Sequence, residues 1–209
     1  MDVRLERLQE IDGPSATFGL EGLSERLRRS VGKPFSDAFI LERLGQFVAS
    51  RQKLARVTVY FIAGLPGEEE EDWQAVWDLF AKIEHEQWSR QLTLIPVLNP
   101  LSPKPFTRLM DARIDLFANY KARWDALMRG EGRSWGFRIV ESMTWGPYER
   151  SMDALIQRGG AQGYEAVMRL SVPMLHGYVT EAQQIRQARF FLRVCEQAGI
   201  TREQLEGSV

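Results

Sequence analysis

Val57-Thr-Val-Tyr-Phe-Ile-Ala-Gly-Leu-Pro-Gly-Glu-Glu-Glu-Glu-Asp72 is an apolar, β-branched run that breaks at Gly64-Leu65-Pro66-Gly67 and then meets a block of acids. A buried strand that ends in a tight turn and feeds a helix has this pattern. About forty residues earlier, Thr17-Phe-Gly-Leu-Glu-Gly-Leu-Ser-Glu-Arg-Leu-Arg-Arg29 repeats the arrangement. Two strand-to-helix junctions in series predict an α/β chain whose functional surface lies at the carboxyl ends of its strands.

Working outward, Ser15–Leu20, Arg56–Ala63, Leu92–Leu98 and Phe137–Glu141 read as strands. A turn or helix is expected from Ser24 to Arg29, and helices from Ser36 as N-cap to about Arg51 and from Glu69 to Glu86. In the last of these Trp73, Val76, Trp77, Phe80 and Ile83 recur at helical spacing. Further helices are expected over Arg108–Arg129, Tyr148–Gln157, Gly163–Leu170 and Glu181–Ala198, with a frayed polar terminus after them. Residues 1–14 read as a lead-in, 15–145 as the α/β domain and 146–209 as a helical C-terminal extension. Right-handed crossovers make such strands parallel and neighbouring. About four strands fall short of a closed eight-stranded barrel. The expectation is therefore a partial, half TIM-like barrel with a helical tail. Its first strand forms an exposed edge, a place for a protein partner or self-association.

The composition narrows the function classes. The 209 residues carry a formal net charge of −1, with 44% hydrophobic and 26% charged residues. That balance gives no general attraction to nucleic acid or to an anionic membrane. No apolar run approaches the roughly 20 residues needed to cross a bilayer, and the N-terminus lacks a signal pattern, so the expected location is cytoplasmic. The single cysteine, Cys195, lies at helical spacing with Phe191 and Ala198 and reads as core. One thiol supports neither a disulfide nor a cysteine-based metal site within this chain. His85 and His176 are far apart and lack a carboxylate at ligand spacing. The acids at Glu68–Asp72 suit the first turn of a helix, where they complement its dipole and unpaired amides. A small α/β enzyme using Glu68–Glu71 with His85 is the weakest alternative, because no nucleophile, metal set or phosphate loop accompanies them.

Phe18-Gly-Leu-Glu-Gly-Leu-Ser-Glu-Arg-Leu-Arg-Arg29 with Lys33 resembles the fourth-strand region of radical SAM enzymes, especially the branch that often carries a cobalamin-binding domain. Tyr60–Glu68 with Asp72 is similar to the fifth-strand segment of that branch. Pro103-Lys-Pro-Phe-Thr107 resembles its loop after the sixth strand, and Arg158-Gly159-Gly160 an Arg-Gly element of its helical tail. The resemblance covers about residues 15–170. It implies that Glu21 and Ser24 approach the ribose of S-adenosylmethionine and that Arg28 pairs with the methionyl carboxylate. It also implies that Ile62 to Gly64 flank adenine. Trp135, Trp145 and Tyr148 are candidate lining residues for a substrate. The family's CxxxCxxC motif is absent, as is anything resembling its first three strands, and Tyr60 stands where many relatives have glycine. A [4Fe-4S] cluster would have to come from a partner chain. The resemblance thus implies the C-terminal portion of a split radical SAM enzyme, or an inactive descendant kept as an assembly subunit. No catalytic residue and no metal ligand is assigned within this chain.

Overall fold

The computed structural model describes residues 15–50, 54–104, 106–129, 135, 137–139, 147–163 and 180–207. The lead-in, Trp145, His176 and the expected helix beyond Gly163 lie outside the described residues. The chain forms two compact units, one of residues 1–99 and 124–143, the other of residues 100–123 and 144–209.

The first unit is built on an α/β pattern. Strand β1 (Ser15–Glu21) leads through helix α1 (Glu25–Ser30) to α2 (Asp37–Ala49), then β2 (Ala55–Ala63), α3 (Glu70–His85) and β3 (Leu92–Pro100). The part of helix α4 (Tyr120–Arg129) from Trp124 onward and the two-residue strand β4 (Arg138–Ile139) complete this unit. The sheet order is β1-β2-β3-β4, an open parallel sheet flanked by helices. Thr17 pairs with Thr58 and Gly19 with Tyr60, with an irregularity in the ladder before Glu21. At the far side Thr93 pairs with Arg138 and Leu94 with Ile139.

Local chemistry sets these boundaries. Ser36 caps α2 by accepting the Phe39 N–H at 3.1 Å, which satisfies one of the unpaired amides of a first turn. Apolar residues four apart and three apart, Ile40, Leu44, Phe47 and Val48, then put one buried stripe on that helix. In β2 burial alternates strictly: Ala55, Val57, Val59, Phe61 and Ala63 are buried, whereas Arg56 and Tyr60 are exposed and Thr58 and Ile62 half-buried. Phe61 meets Phe80 of α3 edge-on at 6.5 Å and Trp124 of α4 at 5.8 Å between ring centroids. The continuous apolar run therefore does not produce a strand covered on both faces. Side chains of a strand point alternately to opposite faces, and among the described residues it is the odd-numbered face of β2 that is fully buried.

Trp135 lies half-buried among aromatic rings. Its ring stands 4.7 Å from Trp77, 5.9 Å from Phe80 and 5.8 Å from Phe137, inside an aromatic cluster of the first unit. The contacts with Trp77 and Phe80 are edge-on and that with Phe137 is tilted, and they make the ring part of the packing.

The second unit packs α5 (Pro147–Arg158), α6 (Glu181–Gln197) and α7 (Arg202–Glu206) around Leu116, Leu155, Phe191, Cys195, Ile200 and Leu205. The helix expected over Arg108–Arg129 begins only at Tyr120. The carbonyls that it would have used are taken by arginines: Arg158 donates to Met110 at 3.3 Å and also to Ala112, and Arg150 to Asp115 at 3.2 Å and also to Ala118. Residues 201–206 are held in place as well. Thr201 caps α7 through the Gln204 N–H, Leu205 is fully buried, and the Glu206 carbonyl accepts the Ile114 N–H at 2.7 Å.

Candidate functional site

The register of β1 with β2 brings the two junctions side by side at the carboxyl ends of adjacent parallel strands. The first junction turns sharply. Glu21 takes a left-handed backbone with φ of 65°, and the Gly22 N–H reaches back to the Leu20 carbonyl at 2.9 Å. A Cβ on Gly22 would fall 2.4 Å from the Arg28 amide nitrogen, so only glycine lets α1 fold back this closely. The second junction is a turn closed by the Glu68 N–H on the Leu65 carbonyl at 3.0 Å. Pro66 supplies its first central residue and Gly67, with φ of 74°, its second, the arrangement of a type II turn.

Asp72 ties the two junctions together. It is buried at 3% exposure and accepts from three donors: the Ser24 hydroxyl, the Arg26 guanidinium and, at 2.8 Å, the Glu69 N–H. Arg26 also donates to the Gly67 carbonyl at 2.8 Å. Ser24 in turn accepts the Leu27 N–H at 3.2 Å and so caps α1. Glu68 closes its own turn, with one carboxylate oxygen on the Gly64 N–H at 2.7 Å and the other on the Trp73 indole at 2.9 Å. The acids of this segment thus act on helix and turn amides. Glu70 and Glu71 lie in the first turn of α3 and His85 is its last residue. At 1.5 Å per residue these ends are about 20 Å apart, which excludes a shared acid–histidine centre.

Each residue singled out for a cofactor has a definite place. Glu21 is half-buried, with Lys33 at 3.7 Å. Ile62 is half-buried, and by its alternation along β2 it lies on the open face of the sheet. Gly64 holds a φ of 84° at the strand end, with its N–H already engaged by Glu68. Arg28 is 1% exposed; its Nε donates to the Phe35 carbonyl at 2.7 Å and its Nη2 to Asp37. Lys82 of α3 reaches the second oxygen of Asp37 at 2.8 Å. Burial raises the pKa of Asp37, but hydrogen bonds from Lys82 and Arg28, with their charges, outweigh it and hold the carboxyl below its ordinary value.

Asp37, Arg26 and Lys82 are residues to which sequence reasoning gives no role, and it reads Asp72 only as a first-turn acid and as part of the fifth-strand resemblance. Asp72 at the third position of α3, after Glu69 as N-cap, carries a local capping signal. The links from Asp72 to Ser24 and from Asp37 to Lys82 run across more than forty residues and leave no such signal. In the second unit Asp153 accepts the Ser102 hydroxyl and the Lys104 ammonium, which anchors the Pro-Lys-Pro loop to α5. Arg158 of the Arg-Gly element binds the Leu205 carbonyl at 3.0 Å as well as those of 110 and 112.

No family model matches the chain. It is similar to an uncharacterized protein of Methanocaldococcus jannaschii, 27% identical over 117 residues, which are 56% of this chain and 25% of that protein. The similarity therefore spans about a quarter of the relative's length.

Proposed function

We propose that this chain is the C-terminal part, or a separate cytoplasmic subunit, of a radical SAM-type enzyme. In this reading the sheet is one half of a TIM-like barrel. It contributes an outer wall of the S-adenosylmethionine site, and a partner polypeptide provides the cluster-bearing half along β1. The observation that carries the reading is the one-sided burial of β2. Parallel sheets are ordinarily covered on both faces, yet an inner strand of this one leaves Arg56 and Tyr60 exposed and Thr58 and Ile62 half-buried. A barrel half separated from its complement leaves open the face that would line the interior.

The residues fit the cofactors unequally. A single buried cysteine does not fit a [4Fe-4S] cluster, so no step through one is assigned to this chain. The half-buried Ile62 and the turn at Gly64 suit contact with a flat ring. Arg28 suits a substrate carboxylate less well, because Asp37 already occupies that role from within. This internal pairing, with the Ser24 hydroxyl committed to Asp72, favours a second reading: an inactive radical-SAM-derived assembly subunit.

Calorimetric titration of the full chain with S-adenosylmethionine separates the two. The first reading expects saturable binding that Ile62→Asp abolishes. Absence of binding at millimolar cofactor, or binding indifferent to Ile62→Asp, leaves the assembly subunit.

A further inference from the structure

Outside the strand junctions, the second unit carries a groove of about 870 Å3 beside α6. Phe117, Ile185 and Leu192 form its apolar floor, and Arg186, Arg189 and Arg193 form one wall. The three arginines recur at i, i+3 and i+7, which places them in one stripe of the helix. Their side chains are exposed, and no described carboxylate pairs with any of them. Ile185 and Leu192 are seven residues apart and run alongside that stripe. The far end has a different character. There Arg202 lies over the Phe117 ring at 4.9 Å and is neutralised by Glu206 at 2.7 Å, while Asp115 and Glu196 add negative charge.

We infer that this groove is a docking surface for an acidic amphipathic helix of a partner protein. Seven-residue spacing of the apolar floor beside a parallel charged stripe is the complement of a helix with apolar residues at i, i+3 or i+4, and i+7, flanked by Glu or Asp. The three guanidiniums, without a carboxylate partner among the described residues, span about 10 Å of helix axis, two turns of such a partner. Guanidiniums pair well with carboxylates through their planar fork. Glu196 and Asp115 set the direction, since they require a neutral or basic residue at that end of the bound helix. A phosphate chain fits less well: it has no apolar side to lay on Phe117, Ile185 and Leu192, and the two acids repel it. The inference does not depend on the radical SAM reading, because it uses only residues of the helical unit.

The test uses the full chain and a synthetic helical peptide of about 20 residues with leucines on one stripe, glutamates beside it and a lysine at the end facing Glu196. Fluorescence anisotropy should show binding that a scrambled peptide of equal composition lacks. Arg186→Glu with Arg189→Glu should weaken it about tenfold or more. A peptide with lysines in place of the glutamates should recover binding to the double variant, which shows that the variant is folded. Equal binding of the scrambled peptide, tighter binding of oligouridylate or pyrophosphate, or no binding of the patterned peptide would each overturn the inference.

Discussion

Replacing Asp37 by Asn removes the carboxylate that matches two cations at once. One of them, Arg28, is 1% exposed and has no route to water as charge compensation. Breaking a buried pair by removing one partner costs about 3–5 kcal/mol. Asp37 itself is partly accessible and Lys82 is half-exposed, so solvent screening reduces this to about 2–3 kcal/mol. For a chain of this length the loss corresponds to a fall in Tm of about 4–12 °C. Differential scanning calorimetry of wild type and Asp37→Asn at neutral pH measures it. The pH dependence has a definite sign. The folded-state pKa of Asp37 is lowered, so the pair stabilises the fold above the ordinary carboxylate range, and that stability is lost as pH falls through the lowered value. The gap between wild type and variant should be constant from neutral to mildly acidic pH and then close. Arg28→Met combined with Asp37→Asn should recover part of the loss, because the stranded charge is gone. A cost below about 1 kcal/mol, where exposed ion pairs fall, or a gap that persists in strong acid, would refute the reasoning.

Two further outcomes follow from the same packing. Ser24→Ala removes the cap of α1 and one of three donors to buried Asp72, and should cost about 1–2 kcal/mol in urea unfolding; Ser24→Thr should retain most of it. Cys195 is fully buried, and desolvation, with Glu196 nearby, raises its thiol from near 9 to about 11. Its ionised form is therefore favoured only on unfolding: stability should decline as pH rises from 9 toward 11, and Cys195→Ala should abolish that slope. Thiol titration with an aromatic disulfide should report the cysteine only as the second unit opens.

Much of the fold was legible because its signals are local. Ser36 as a cap, the apolar stripe of α3 and the Gly-Leu-Pro-Gly turn each depend on residues within a turn or two of one another. The expectation failed where distant groups competed for the backbone. Residues 108–119 have helical composition, but Arg150 and Arg158 capture their carbonyls from α5, and turns result. The same limit applied at the site. Arg28 reads as an exposed arginine ready for a ligand, because its partner is chosen by the approach of α2 and α3.

The sequence by itself determined where β1 and β2 end, and that both junctions fall at the carboxyl ends of neighbouring strands. Periodicity, caps and glycines act through nearest neighbours along the chain. Only the tertiary structure decided what the charged residues do. Ser24, Arg26 and Asp72 lock two junctions to each other, Arg28, Asp37 and Lys82 join three helices, and Arg186, Arg189 and Arg193 have no carboxylate partner among the described residues. A charge takes the nearest opposite charge in space, and distance in space is set by packing rather than by order along the chain.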